Sequence, residues 1–138
     1  MAVITIADRK RVQAVRLDES IRLTCPAGEA IEQGDYVRLN TTTGYWVKAN
    51  ATTAANLGHV GGIALTKAAA NAACTVLVRG LVALDNALSS LDYDARVFVS
   101  NTSGALDTAA GTVERVVGHV VPGWDTTGGT KLLLLRGV

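Results

Sequence analysis

The sequence predicts an all-β fold: a compact small β-barrel or sandwich built from two duplicated β units, with an extended N-terminal arm. Three observations predict it. Short runs rich in Val, Leu, Ile and Thr recur between turn residues at a spacing of about 8–12 positions, the pattern of a small barrel or sandwich. The longest of these runs, Cys74–Asp85 (CTVLVRGLVALD), is echoed at the C-terminus by Lys131–Val138 (KLLLLRGV), and each holds an Arg-Gly pair followed by an apolar residue. A nearly constant offset then relates one half of the chain to the other.

Length and composition set the bounds. A chain of 138 residues is one domain's worth and is long enough for one hydrophobic core. Hydrophobic residues make up 49% and charged residues 18%, with a net charge of +1, which excludes a disordered chain and a strongly basic nucleic-acid binder. Two cysteines, Cys25 and Cys74, form no C-x-x-C pair and no disulfide framework, and read as two small buried hydrophobes; a bridge between them depends on a proximity that sequence does not reveal. The charges of MAVITIADRKRV follow its apolar start, the reverse of a secretory signal, and no apolar run is long enough to span a membrane. The chain is therefore expected to be made in the cytoplasm and to remain soluble.

Residues 1–20 differ from the rest and read as the arm, with one strand at most. Arg9, Lys10, Arg11 and Arg16 form a small basic cluster, while Ile4, Ile6, Val12, Val15 and Leu17 show no clean period. From Ile21 the pattern turns β, and residues 21–138 read as a single β domain. Ile21–Cys25 is a short strand stopped by Pro26-Ala27-Gly28. Tyr36–Leu39 and Tyr45–Lys48 flank the polar turn Asn40–Gly44 and read as a hairpin. Leu57–Leu65 is glycine-rich and apolar. Thr66–Ala73 is a connection with room for one helical turn, too short for an independent helix. The long run follows, with glycine at its centre as in a strand that bends or bulges. Asn86–Leu91 reads as a turn or a single helical turn. Arg96–Ser100, Ala105–Thr108, Val113–Val121 and Lys131–Leu135 complete the strands.

The offset is 60 through most of the chain. It carries Val37 onto Val97, Leu39 onto Val99, Gly44 onto Gly104, and Gly58-His59-Val60 onto Gly118-His119-Val120. Beyond the loops 67–73 and 125–130 it becomes 57, carrying Val76–Gly80 onto Leu133–Gly137. The physical reading is two equivalent units, about 21–80 and 81–138, that share a core, with the long run closing the first and opening the second.

Reactive groups are sparse. His59 and His119 fall at equivalent places by the offset, which points to a structural role rather than to ligation, since no carboxylate pair lies nearby to complete a metal site. Gly123–Lys131 (GWDTTGGTK) approaches a phosphate-binding loop. Its order after the glycine is wrong, and a β-like LLLL run follows where that motif opens a helix. Asp92 and Asp94 flank Tyr93 but lack the further oxygens that calcium needs. The nucleophile-elbow, zinc-protease and dinucleotide-binding patterns are absent from the sequence, and the basic arm has no interleaved aromatics for nucleic acid. What remains describes a binding or structural component better than a catalyst.

Several stretches carry a resemblance. PAGEAIEQGD (Pro26–Asp35), GGIALTKAAANAACTVLVRGLVAL, RVFVSNTSGAL, GTVERVVGHVVPG and TKLLLLRG together resemble the head decoration (capsid cement) proteins of tailed bacteriophages, a DUF2190-like family, over most of residues 21–138. The resemblance implies a β-rich body with an arm, and binding to the outer face of the mature head lattice. It implies the major capsid protein as partner and a homotrimer as the binding form. It also implies no cofactor, no metal, no nucleic acid, no membrane and no small-molecule substrate. The site of action is then the capsid exterior of the virion, after synthesis in the host cytoplasm. On this reading the capsid-binding arm comprises Ala2, Val3, Ile4, Ile6, Arg9, Lys10, Arg11 and Arg16, and its basic residues meet acidic capsid surface. The loops Gly58–Gly62 and Pro122–Gly129 are secondary candidates, and Trp124 is a candidate anchor at a subunit interface. Removing residues 1–16 is expected to abolish binding while leaving the body folded. The alternatives are another phage structural component, of tail or head-completion type, or a non-catalytic β-barrel binding module.

Overall fold

The computed structural model describes residues 3–15, 20–85, 87–123 and 131–135. It is all-β: among the described residues eleven strands form one curled antiparallel sheet. In chain order they are β1 (Val3–Ile4), β2 (Val12–Val15), β3 (Ile21–Pro26), β4 (Tyr36–Leu39), β5 (Trp46–Lys48), β6 (Gly61–Ala64), β7 (Ala73–Leu84), β8 (Arg96–Val99), β9 (Leu106–Asp107), β10 (Val116–Pro122) and β11 (Lys131–Leu135). The short 3-10 turns Arg9–Arg11 and Ala54–Asn56 are capped by the side chains of Asp8 and Thr53. The connection 66–72 forms no helical turn; Ala68 instead makes an isolated bridge to Ile31. Residues 3–15 hold two strands rather than one, and they run along the body itself, with β1 paired to β9 and β2 paired to β7.

The sheet repeats itself. In the first half the pairing order is β3–β7–β6–β4–β5; in the second it is β7–β11–β10–β8–β9, so the C-terminal part of β7 stands where β3 stands in the first. Registers match as well. Ile63 lies opposite Leu77 as His119 lies opposite Leu134, and Val37 opposite Gly62 as Val97 lies opposite Gly118. The entry turns match too: Gly34 N donates to Ala64 O and Asp94 N to Val120 O, with φ of +94° at Gly34 and +67° at Asp94. These registers place Gly62, not Gly58, in correspondence with Gly118. The Gly-His-Val triplets therefore do not correspond: His59 is exposed in the bend before β6, while His119 sits half-buried within β10.

β7 is the seam. Its N-terminal part pairs with β3 and β6, and its C-terminal part with β2 and β11. Gly80, with φ of +134°, stands where the partners change, and a Cβ there would meet Ser20 Cβ at 3.0 Å. Alternation along the strands builds two clusters. Tyr36, Ile63 and Leu77 on one face of the first unit join Val82, Val97, Val120 and Leu133 of the second in the main core. Val37, Ala64 and Val76 on the other face pack with Ala27, Ile31, Trp46, Ala68 and Cys74 in a smaller one. Burial pushes the Tyr36 phenol up from its ordinary value, opposed by the nearby Arg115 guanidinium.

Gly62 and Gly118 explain why the repeat keeps glycine there. A Cβ on Gly62 would lie 2.1 Å from Leu77 O, and one on Gly118 would lie 2.0 Å from Leu134 O. Both obstacles are backbone of a neighbouring strand and cannot swing aside. Gly118→Ala is expected to cost about 3 kcal/mol in urea unfolding, and Gly62→Ala a similar amount. Gly44→Ala has open space around it and only the left-handed φ of +73° to oppose it, so about 1 kcal/mol is expected there.

Candidate functional site

The predicted arm residues split into three groups. Ala2 and Arg16, with Trp124, lie outside the described residues. Ile4, Ile6 and Arg9 are engaged by the body, and Arg11 pairs with it while its side chain stays exposed. Ile4 is 9% exposed in the core, and Ile6 packs against the same cluster. Arg9 Nη1 donates to Gln33 O at 3.0 Å and to the buried Asp35 carboxylate at 3.1 Å. Arg11 lies 3.5 Å from the buried Asp85 carboxylate. Gly34 makes room for this packing: a Cβ on it would meet Ile6 Cδ1 at 2.7 Å and Val12 Cγ2 at 3.1 Å. Val3, 46% exposed, Lys10 and Arg11, whose side chain is 70% exposed, present side chains outward. Arg9 and Arg11 thus pair with buried carboxylates of their own chain, while Lys10 and most of the Arg11 side chain remain open to solvent.

Among the described residues a different surface is open. Val15, Leu81, Leu134, His119 and Arg96 are successive cross-strand partners on β2, β7, β11, β10 and β8. They form one row across the outer face of the second unit. Leu134 is 39% exposed, Arg96 is exposed, and the other three are half-buried. A depression of about 290 Å³ lies at the Val15–Leu81–Leu134 end of this row, lined also by Val121 and the exposed Arg79. Arg96 stacks over Phe98 with its guanidinium carbon 5.3 Å from the ring centroid, which holds the charge at the rim. The result is an apolar strip with a basic border.

Register explains why this face is open. Its residues Arg96, His119 and Leu134 correspond to Tyr36, Ile63 and Leu77 of the first unit, which are buried in the main core. The two units pack front to back. One face of the first unit covers the second, and the corresponding face of the second has no counterpart within the described residues. Sequence reasoning missed it because the offset of 60 sends Ile63 to Gly123 rather than to His119. Aligning the glycines of the two crowded strands exposes the substitution of Tyr and Ile by Arg and His.

The other sequence candidates do not converge. The described residues hold no group of three His, Cys, Asp or Glu side chains able to share a metal ion. Asp94 is a turn residue, and Asp92 O accepts from Ala95 N. Lys131 Nζ lies 5.0 Å from the Tyr93 ring centroid and donates to Ser89 O and Leu91 O, so it is bound to the neighbouring turn. The loop Gly58–Gly62 contributes a carbonyl, Gly58 O, to Arg115 Nη2 at 3.1 Å. Comparison with protein-family models, with curated proteins and with solved structures finds no match. No helix among the described residues is long and apolar enough to cross a membrane.

The docked N-terminal segment makes two predictions. Arg9→Met leaves Asp35 without its guanidinium and is expected to cost about 1–3 kcal/mol in urea unfolding, less than for a fully buried pair because Arg9 itself is partly solvated; Lys10→Ala should stay within about 0.5 kcal/mol. Deleting residues 1–16 removes the buried side chains of Ile4 and Val12, worth about 1.5–3 kcal/mol each, and uncovers the edge of β7. The melting temperature is expected to fall by about 10 °C or more, read by circular dichroism.

Proposed function

We propose that this chain is a capsid decoration (cement) protein of a tailed bacteriophage. It binds the outer surface of the mature head lattice as a homotrimer, with the major capsid protein as partner, and stabilises the head without catalysing a reaction. The observation that carries this reading is the open face of the second unit. It is an apolar row, Val15–Leu81–Leu134, with Arg79, Arg96 and His119 at its border, on a face whose counterpart in the first unit is buried in the main core. The resemblance carried by Pro26–Asp35 and by the strands of both units supports the same reading.

The mechanism follows from linkage. A protein that binds the expanded lattice and not its precursor stabilises the expanded state by its free energy of binding at the prevailing concentration. The apolar row would supply burial at the centre of the contact. Arg79 and Arg96 would meet acidic capsid surface at the rim, where charge mainly guides encounter and orientation. The N-terminal segment takes an indirect part in this scheme. β2 places Val15 in the row, and the Arg9 and Arg11 ion pairs hold β2 in place.

The test uses the purified chain with heads assembled from the major capsid protein of the same phage. Binding is expected to expanded heads and not to unexpanded ones, with a rise in the melting temperature of the decorated heads. Leu134→Asp and Arg96→Glu each replace an outward side chain and are expected to weaken head binding tenfold or more while leaving the free protein's melting temperature within a few degrees. Equal binding to both head forms, or none to expanded heads, would overturn the decoration reading. Undiminished binding of both variants would move the contact away from this face.

A further inference from the structure

Cys25 on β3 and Cys74 on β7 are both free thiols and lie directly opposite each other in the antiparallel register. Directly opposite residues share a face, and both side chains belong to the smaller cluster, Cys74 fully buried and Cys25 partly so. Opposed antiparallel residues stand about 4.5–5.5 Å apart at Cα, inside the span of about 4.4–6.8 Å that a disulfide bridges. The register is held on both sides of the pair. Thr24 and Thr75 share a hydroxyl hydrogen bond of 2.8 Å, and Ala27 N donates to Ala72 O at 2.8 Å. β3 needs such support. Among the described residues it pairs with β7 alone, and its Ile21 and Leu23 are 57% and 39% exposed.

We propose that Cys25 and Cys74 are a thiol modification site, which a small-molecule disulfide converts to an intramolecular bond that staples β3 to β7. Cys25, reachable from solvent, attacks one sulfur of the small disulfide as thiolate and releases the first small thiol. Cys74, whose Sγ lies 3.5 Å from Thr66 O, gives up that contact and its proton, turns toward β3 and attacks the Cys25 sulfur. The second small thiol leaves. One disulfide is broken in the reagent and one is formed in the protein. The two protons lost by the cysteines end on the two released thiols. Burial pushes the Cys74 thiol up from its ordinary value of 9.0, so the second step is the slow one and quickens as pH rises toward that value and beyond. The bond closes a loop of about fifty residues that contains β4, β5 and β6. This site is independent of the decoration reading.

The test takes the full-length reduced protein and incubates it with oxidised glutathione, with reduced glutathione as the control. Thiol titration after denaturation, intact mass under non-reducing conditions and thermal unfolding are read together. Both thiols are expected to disappear with a mass loss of two hydrogens and no dimer, and a peptide bearing Cys25 should be linked to one bearing Cys74. The melting temperature should rise by about 5–15 °C and return on reduction with a phosphine. Cys25→Ser, at the less buried position, should melt within a few degrees of the reduced parent and show neither the mass loss nor the rise. A glutathione adduct that persists on Cys25 with Cys74 still titratable would overturn the proposal. So would disulfide-linked dimers alone, two thiols that survive although Cys25 alkylates, or a closed bond that lowers the melting temperature.

Discussion

The continuous backbone of β7 is the constraint on which the rest depends. A strand hydrogen-bonded along both edges leaves few of its polar groups for water, and here four separate strands, β2, β3, β6 and β11, divide that task. Each of the two units uses a different stretch of the same strand. The main core can therefore be shared: Leu77 from one part of β7 and Val82 and Leu84 from the other enter one cluster. Packing of the two units front to back follows from the same continuity. It leaves the second unit with an outward face whose counterpart in the first is buried.

Buried carboxylates explain the N-terminal segment. Asp35 stands at the entry to β4 and accepts from Glu32 N within its own turn, while Asp85 closes β7. Both are nearly inaccessible, and a buried charge without a partner is costly. Arg9 and Arg11 answer that need, and the apolar Ile4, Ile6 and Val12 fix the segment alongside them. Two of the positive charges that in sequence look available to a partner thereby also serve the chain's own carboxylates, while the Arg11 side chain stays 70% exposed.

Much of the fold was legible in the sequence because β structure leaves a local signature. The strand Lys131–Leu135 and the hairpin around Asn40–Gly44 are read from alternation and turn chemistry alone, and φ at Gly44 and Gly104 is positive in both units, as equivalent turn glycines require. The repeat was legible at the same level, through the offset of 60 that carries Val37 to Val97. It failed at Gly58 because the second-unit connection before the crowded strand is four residues shorter than the offset assumes. A chance Gly-His-Val match then hid the true partner, Gly62. The docked arm was not legible. Ile4 and Val12 show no period because they contact different strands, β9 and β7, and long-range pairing leaves no trace in local pattern. The open face was out of reach for the same reason: its meaning depends on which residues of the other unit occupy the equivalent place.

The duplication has no linker. Its boundary falls inside a strand, at Gly80, so the two halves are not beads on a thread that reorient freely. Their mutual attitude is set by the twist of one strand and the backbone angles of one residue. Domain shuffling cannot separate such halves, since any cut at the junction severs a hydrogen-bonded strand and opens both. A change at Gly80 would act as a change of angle, turning the outward row of one half relative to the other and altering the shape the whole molecule offers to whatever it meets.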